Sequence, residues 1–300
     1  LVVLLTLSGC VSFDKVALNI VGDTLSAEGS NTVFTGDNDP KLVGDALPFA
    51  IKMYESLSSA NPTHVGMSRS VGMLYVMYAN AFVAGPADYF GLDRFDEKQA
   101  AQKRAVNLYL RGRDFVLKAL ELKYPGFTFA WEGRDTAKYQ AFLPRFKKAD
   151  VSSLYWFSAG HMAAFSIEPM DLNLSTPVPK VMKLLVRAYE LDPDFQKATL
   201  DELFVSVYSS LPAELGGDPA QALVHYDRAL AKTDGKATGA FLARATSIDL
   251  PKQNKTHFVE MLKQVLNVDA EADPDATLVT LLNQERARWY LAQLDDLFIE

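Results

Sequence analysis

Apolar residues return at steps of three and four through nearly the whole chain, and they almost never alternate. Ala46, Leu47, Ala50, Met53, Tyr54 and Leu57 put one stripe on a helix. The same spacing recurs over 105–122, 181–191, 221–231, 256–268 and 278–298. Breakers separate these runs: GPAD at 85–88, YPGF at 124–127, LPAELGGD at 211–218 and ADPD at 272–275. Only Phe127 to Trp131 alternates, over five residues, and it is the single candidate strand. A chain built this way has no sheet to fold around. The expected class is all-α, with helix pairs joined by short turns and packed into a compact curved bundle. Hydrophobic residues make up 49% of the 300, enough for a sizeable core.

A second pattern lies inside the pairs. Ala222, Tyr226, Ala229 and Asp234 step by four, three and five, as small residue, aromatic, small residue and turn. Ala50, Tyr54, Leu57 and Pro62 repeat the steps, and Val181, Leu185, Ala188 and Pro193 do so again. Gly112, Val116 and Ala119 fit with Pro125 one residue late. This resembles the tetratricopeptide repeat, in which small residues let two helices approach and a proline stops the second. The leading positions 50, 112, 181 and 222 are 41 to 69 residues apart, against about 34 in that repeat. The repeats are therefore expected to be degenerate.

The chain begins LVVLLTLSGC, and Cys10 is its single cysteine. One cysteine cannot form an internal disulfide. An apolar run followed by Ser8 and Gly9 reads as the end of a secretory signal, and Leu7 to Cys10 resembles the bacterial lipobox. The expectation is a signal-peptide remnant over 1–9 and lipidation at Cys10. Two or more acyl chains would hold the protein on the periplasmic face of a bacterial membrane, at about 0.8 kcal/mol per buried methylene. Residues 10–38 are expected to be anchor and flexible tether, being rich in Gly, Ser, Thr, Asn and Asp. Asp39-Pro40 then starts the first helix of a single all-α domain over 39–300. The net charge of −7 argues against nucleic acid, which needs a basic face.

Motifs for catalysis are missing. The sequence contains no GxSxG, Gly-rich phosphate loop, HExxH or CxxC. His64, His161, His225 and His257 lie far apart, so neither an enzyme, a metal nor any other cofactor is expected. Two segments, 71–85 and 153–167, are apolar nearly all round, as helices buried on every side or lining an apolar cavity would be. If they border a groove or channel, Tyr75, Tyr78, Asn80, Tyr155, Trp156 and His161 are its candidate lining. Near the chain end, Arg286 and Trp289 are candidates for a partner contact.

Five stretches carry a closer resemblance: 34–57, 78–90, 108–121, 187–230 and 283–298, with LPAELGGD and RARW the most specific parts. Together they resemble the T-component of tetratricopeptide-repeat-associated TRAP transporters. That resemblance implies a lipid-anchored envelope protein which binds the periplasmic solute-binding P-component and accepts or passes a hydrophobic small organic solute. It also implies a homo-oligomer, for which a trimer is a guess rather than a reading of the sequence. The alternative is a tetratricopeptide-like scaffold lipoprotein for envelope protein assembly.

Overall fold

A computed structural model describes residues 13–27 and 32–299. Among them there is no strand, and no helix is long and apolar enough to cross a membrane. Cys10 lies outside the described residues.

The first half of the chain builds one layer of long helices. After α1 (Phe13–Ser26) and α2 (Thr32–Thr35) come α3 (Pro40–Ala60) and α4 (Val65–Ala79). A π-helical turn, Asn80–Ala84, runs into α5 (Gly85–Ala87), and α6 (Phe95–Lys123) returns alongside. The Asp39 carboxylate accepts the Leu42 N–H to start α3, with Pro40 in the first turn, as the Asp-Pro pair predicts. Short α7 (Phe127–Glu132) and α8 (Thr136–Gln140) lead to α9 (Val151–Ile167). Beyond α10 (Leu172–Ser175) the helices pair: α11 (Val178–Leu191), α12 (Thr199–Ser210), α13 (Pro219–Lys232), α14 (Thr238–Arg244), α15 (Lys255–Asn267) and α16 (Thr277–Ala292), closed by α17 (Leu294–Leu297).

The centre of the first layer is held by glycines. A β-carbon on Gly72 of α4 would lie 2.5 Å from the Gly112 carbonyl oxygen of α6. One on Gly112 would lie 2.7 Å from the Gly72 carbonyl oxygen. Gly160 of α9 comes in over the same junction, 3.0 Å from a Val76 methyl and 3.1 Å from the Tyr109 carbonyl oxygen by the same measure. So α6 lies between α4 and α9, and the two all-apolar segments are buried against it. Of the positions picked out by the repeat-like steps, Ala50, Tyr54, Val181, Leu185, Ala188, Ala222, Tyr226 and Ala229 are buried, and Leu57 is partly buried.

Two segments differ from expectation. Phe127 to Trp131 is helical, not a strand. Its alternation is real, but charged side chains from elsewhere finish both ends of the helix. Glu121 accepts from the Gly126 and Thr128 N–H groups, each at 2.7 Å, and Gly126 takes φ of 90°. At the other end the Lys180 ammonium donates to the carbonyls of Ala130, Trp131 and Gly133 at 3.2, 2.7 and 2.6 Å. These groups satisfy orphan donors and acceptors that would otherwise unravel a six-residue helix. Part of the stretch expected to be tether is also helical. The helix α1 reaches the body through Asn61 Nδ2 to Asn19 Oδ1 at 2.6 Å and Arg69 Nη2 to the Ser26 carbonyl at 2.8 Å. Gly22 is buried against the His64 ring. Partners far along the chain order a polar sequence that would not order itself.

Gly72→Ala should destabilise the protein by about 2 kcal/mol, because the atoms it meets are backbone and cannot swing aside. Urea unfolding measures it, and an unchanged midpoint would show that the two helices can part freely. Lys180→Met removes the cap of α7 and should cost about 2 kcal/mol through three unsatisfied carbonyls. Faster amide exchange in α7 than in α6 checks that the loss is local.

Candidate functional site

The helix α4 gives way to a wider turn after Ala79, ahead of Pro86. Pro86 has no N–H to give and its ring would strike the carbonyl four residues back. The chain shifts to a wider turn, in which the Gly85 N–H donates to the Asn80 carbonyl. Such π-turns are frequent at functional sites. This one leaves Asn80 exposed at the mouth of a pocket of about 290 Å³.

The polar lining is Asn80, Asp88, Gln102 and Tyr109, with Ser166 of α9, whose hydroxyl donates to the Ala163 carbonyl at 2.8 Å, and Arg286 reaching in from α16. Ala84, Ala163 and Ile167 supply apolar wall. Tyr109 Oη donates to Asn80 Oδ1 at 3.3 Å, which turns the Asn80 amide nitrogen free to face a ligand. Arg286 passes over Gly85, where a β-carbon would lie 3.7 Å from its Nε. Its guanidinium stands 3.7 Å from Asp88 Oδ2, too far for a hydrogen bond. Burial pushes the Asp88 carboxyl up, against the pull of Arg286 and Lys98. Burial likewise raises Tyr109 far above its ordinary range. The pair is half-buried and not bonded.

The other residues singled out by sequence fall elsewhere. Tyr75 is buried; it donates to Glu55 Oε2 at 2.9 Å, accepts from Lys52 at 3.2 Å, and its ring lies on Phe115. Tyr78 lies half-buried beside Phe82, with Arg104 donating to its hydroxyl at 3.3 Å. Tyr155 and Trp156 meet edge to face at 4.9 Å, and Tyr155 also contacts Phe195. The Trp156 Nε1 is buried and has no hydrogen-bond partner among the described residues. His161 donates from Nε2 to the Leu174 carbonyl at 2.8 Å and accepts from Arg113 at Nδ1, 3.3 Å away, so the network assigns it a neutral tautomer. Trp289 packs half-buried on Tyr89 at 5.5 Å, and burial pushes the Tyr89 hydroxyl up to about 12. Thus the structure brings Asn80 and Arg286 together in one pocket and does not bring Tyr75, Tyr155 and His161 into it. Sequence reading missed Asp88, Gln102 and Tyr109. The one signal was the GPAD breaker, which follows directly on the wide turn.

No group of three or more His, Cys, Asp or Glu side chains among the described residues could hold a metal ion. A family model described as TRAP transporter T-component matches residues 36–298. A protein of Treponema pallidum (strain Nichols), described as an uncharacterized protein, is 35% identical over 276 residues, which cover 92% of this chain and 85% of that one.

Two buried groups near the aromatic pair have opposite responses to pH. Burial pushes Glu202 up to about 7; the Ala240 and Gly239 N–H groups oppose this and the charge of Asp201 adds to it. Burial lowers His161 to about 4, with the Leu174 carbonyl opposing and Arg113 adding. Between about pH 4.5 and 7 the folded chain keeps a proton on Glu202 that the unfolded chain has released, so this group favours folding as pH falls. From about pH 6.5 down to 4 the unfolded chain protonates His161 and the folded chain does not, so this group favours folding as pH rises. The two offset each other in the wild type. Relative to wild type, Glu202→Gln should therefore gain about 2 kcal/mol as pH is raised from about 5 to about 8. Urea midpoints at the two values test this, and a difference independent of pH would contradict it.

Proposed function

The chain belongs to the TRAP transporter T-component family, and on that premise we propose that it is the lipid-anchored periplasmic member of a TRAP-type system, binding the solute-binding P subunit. The family match over 36–298 is the observation that carries this reading. Within it the protein is a binding partner rather than an enzyme, anchored at Cys10 and handling a small organic solute on its way to the membrane permease.

The outer face of α3 supports a docking role. Leu42, Phe49 and Met53 are 57%, 76% and 41% exposed. Their spacing of seven and four places them on one side of the helix, opposite Val43, Leu47 and Ile51, which are buried. An exposed apolar strip with an aromatic at its centre is the anchor type that protein interfaces use. The P subunit is the partner proposed for it.

Native mass spectrometry of the chain from residue 11 onward, mixed with the P subunit of the same system, tests the reading. A discrete complex of fixed stoichiometry is expected at micromolar concentration, about −8 kcal/mol of binding free energy. Phe49→Asp should weaken it at least tenfold. Failure of the wild-type proteins to associate would count against the transport role and favour the envelope-assembly scaffold.

A further inference from the structure

We propose that the pocket at the π-turn is a binding site for a small zwitterion, an α-amino acid with a compact aliphatic side chain. The argument starts from the two charges. Arg286 and Asp88 are brought from opposite ends of the chain to 3.7 Å, close enough to attract and too far to bond. Among the described residues Arg286 makes no hydrogen bond, so its planar fork keeps its donors for something else. The buried Lys232–Asp201 pair, by contrast, closes to 2.7 Å. Here the gap stays open, with Arg286 laid across Gly85 and Asp88 at the C-cap of the short α5 that follows the π-turn.

Two opposite charges with space in front of them match a ligand carrying the same two charges on neighbouring atoms. The ligand carboxylate takes the guanidinium fork and the Asn80 amide N–H, which Tyr109 leaves free by occupying the Asn80 oxygen. The ligand ammonium takes the Asp88 carboxylate, which burial alone leaves poorly served. A ligand with only a carboxylate would draw Arg286 from Asp88 and leave a half-buried acid without its counter-charge; one with only an amine would leave the arginine without its own. Ala84, Ala163 and Ile167 are the apolar side chains that line the pocket, so the part of the ligand that meets them is a short aliphatic group. The site stands on this geometry. Its role as the place where a transported solute is held rests on the transport reading above, whose solute it changes from hydrophobic to zwitterionic with an aliphatic end.

The test is isothermal titration calorimetry on the chain from residue 11 onward, with L-valine, N-acetyl-L-valine and L-valinamide as probes. L-valine should bind, and each blocked derivative should bind at least tenfold more weakly. Arg286→Gln and Asp88→Asn should each lose at least tenfold in L-valine affinity. Ala163→Phe, which fills the pocket without touching either charge, should abolish binding, and it keeps the test decisive if a charge variant fails to fold. No heat with L-valine at millimolar concentration would overturn the proposal, as would unchanged affinity in all three variants. N-acetyl-L-valine binding as well as L-valine would also overturn it, leaving a plain anion site. Native mass spectrometry with the P subunit separates the two readings: Arg286→Gln should still form the complex while losing L-valine. A wild-type chain that binds L-valine but forms no complex defeats the transport reading and leaves the site.

Discussion

The backbone contact between Gly72 and Gly112 is the constraint on which the rest of the first layer depends. Each glycine faces the other's carbonyl oxygen, at 2.5 and 2.7 Å from where a β-carbon would stand. At that distance no side chain fits between α4 and α6, so their register has no slack. The helices run antiparallel from this point. Moving up α4 and down α6 from the glycines brings Tyr78 to Arg104 and Asn80 to Tyr109. Close packing at one place thereby decides which polar groups meet eight residues away. Interiors packed this tightly transmit displacement rather than absorb it, so a site at the end of α4 is held by a contact that makes no part of it.

The contrast between two ion pairs shows how the fold distinguishes support from site. Asp201 is fully buried, yet His225 and Lys232 bond its two oxygens at 2.6 and 2.7 Å. Burial pushes its carboxyl up, and those two hydrogen bonds more than offset this, so it sits below the ordinary carboxylate range. The rings of Phe204, Tyr208 and Tyr189 enclose the His225 imidazole at 4.5 to 5.6 Å. Both oxygens of the acid are answered from within, and breaking such a cluster leaves an uncompensated charge. Asp88 receives no such answer and is raised, with its arginine out of bonding range. One cluster is closed; the other has room and unused donors.

How much of this could be read from sequence depends on how far apart the determining residues lie. The helical class follows from local spacing, and the burial of Tyr54, Leu185 and Ala222 follows from the same steps. The Asp39 and Asp218 caps were visible because cap and helix are adjacent. The helix at Phe127–Glu132 was not, since its two caps come from Glu121 and from Lys180, and the second lies about fifty positions on. The helix at Phe13–Ser26 was hidden for the same reason, its partners being Asn61, His64 and Arg69. Tyr75 and His161 were read as groove lining because Glu55, Arg113 and Leu174, which satisfy their polar atoms, sit on other elements.

The pocket lies at the far end of that scale. Asn80 and Arg286 each drew notice, for unrelated reasons, and nothing local connects them. What the sequence does contain is a conflict: an apolar helix running into Gly85-Pro86 within a segment that packing holds rigid. Sequences are locally consistent with their folds except where function or strain intervenes. A proline placed one turn after a buried stretch of α4 gives up a regular helical hydrogen bond, and the Gly72–Gly112 contact prevents the helix from relaxing around it. The wide turn, the exposed Asn80 and the place of Asp88 at the C-cap of α5 all accompany that conflict. A breaker inside an otherwise unbroken core helix is therefore the sequence sign of this site, and its chemistry becomes visible only when the last long helix supplies the arginine.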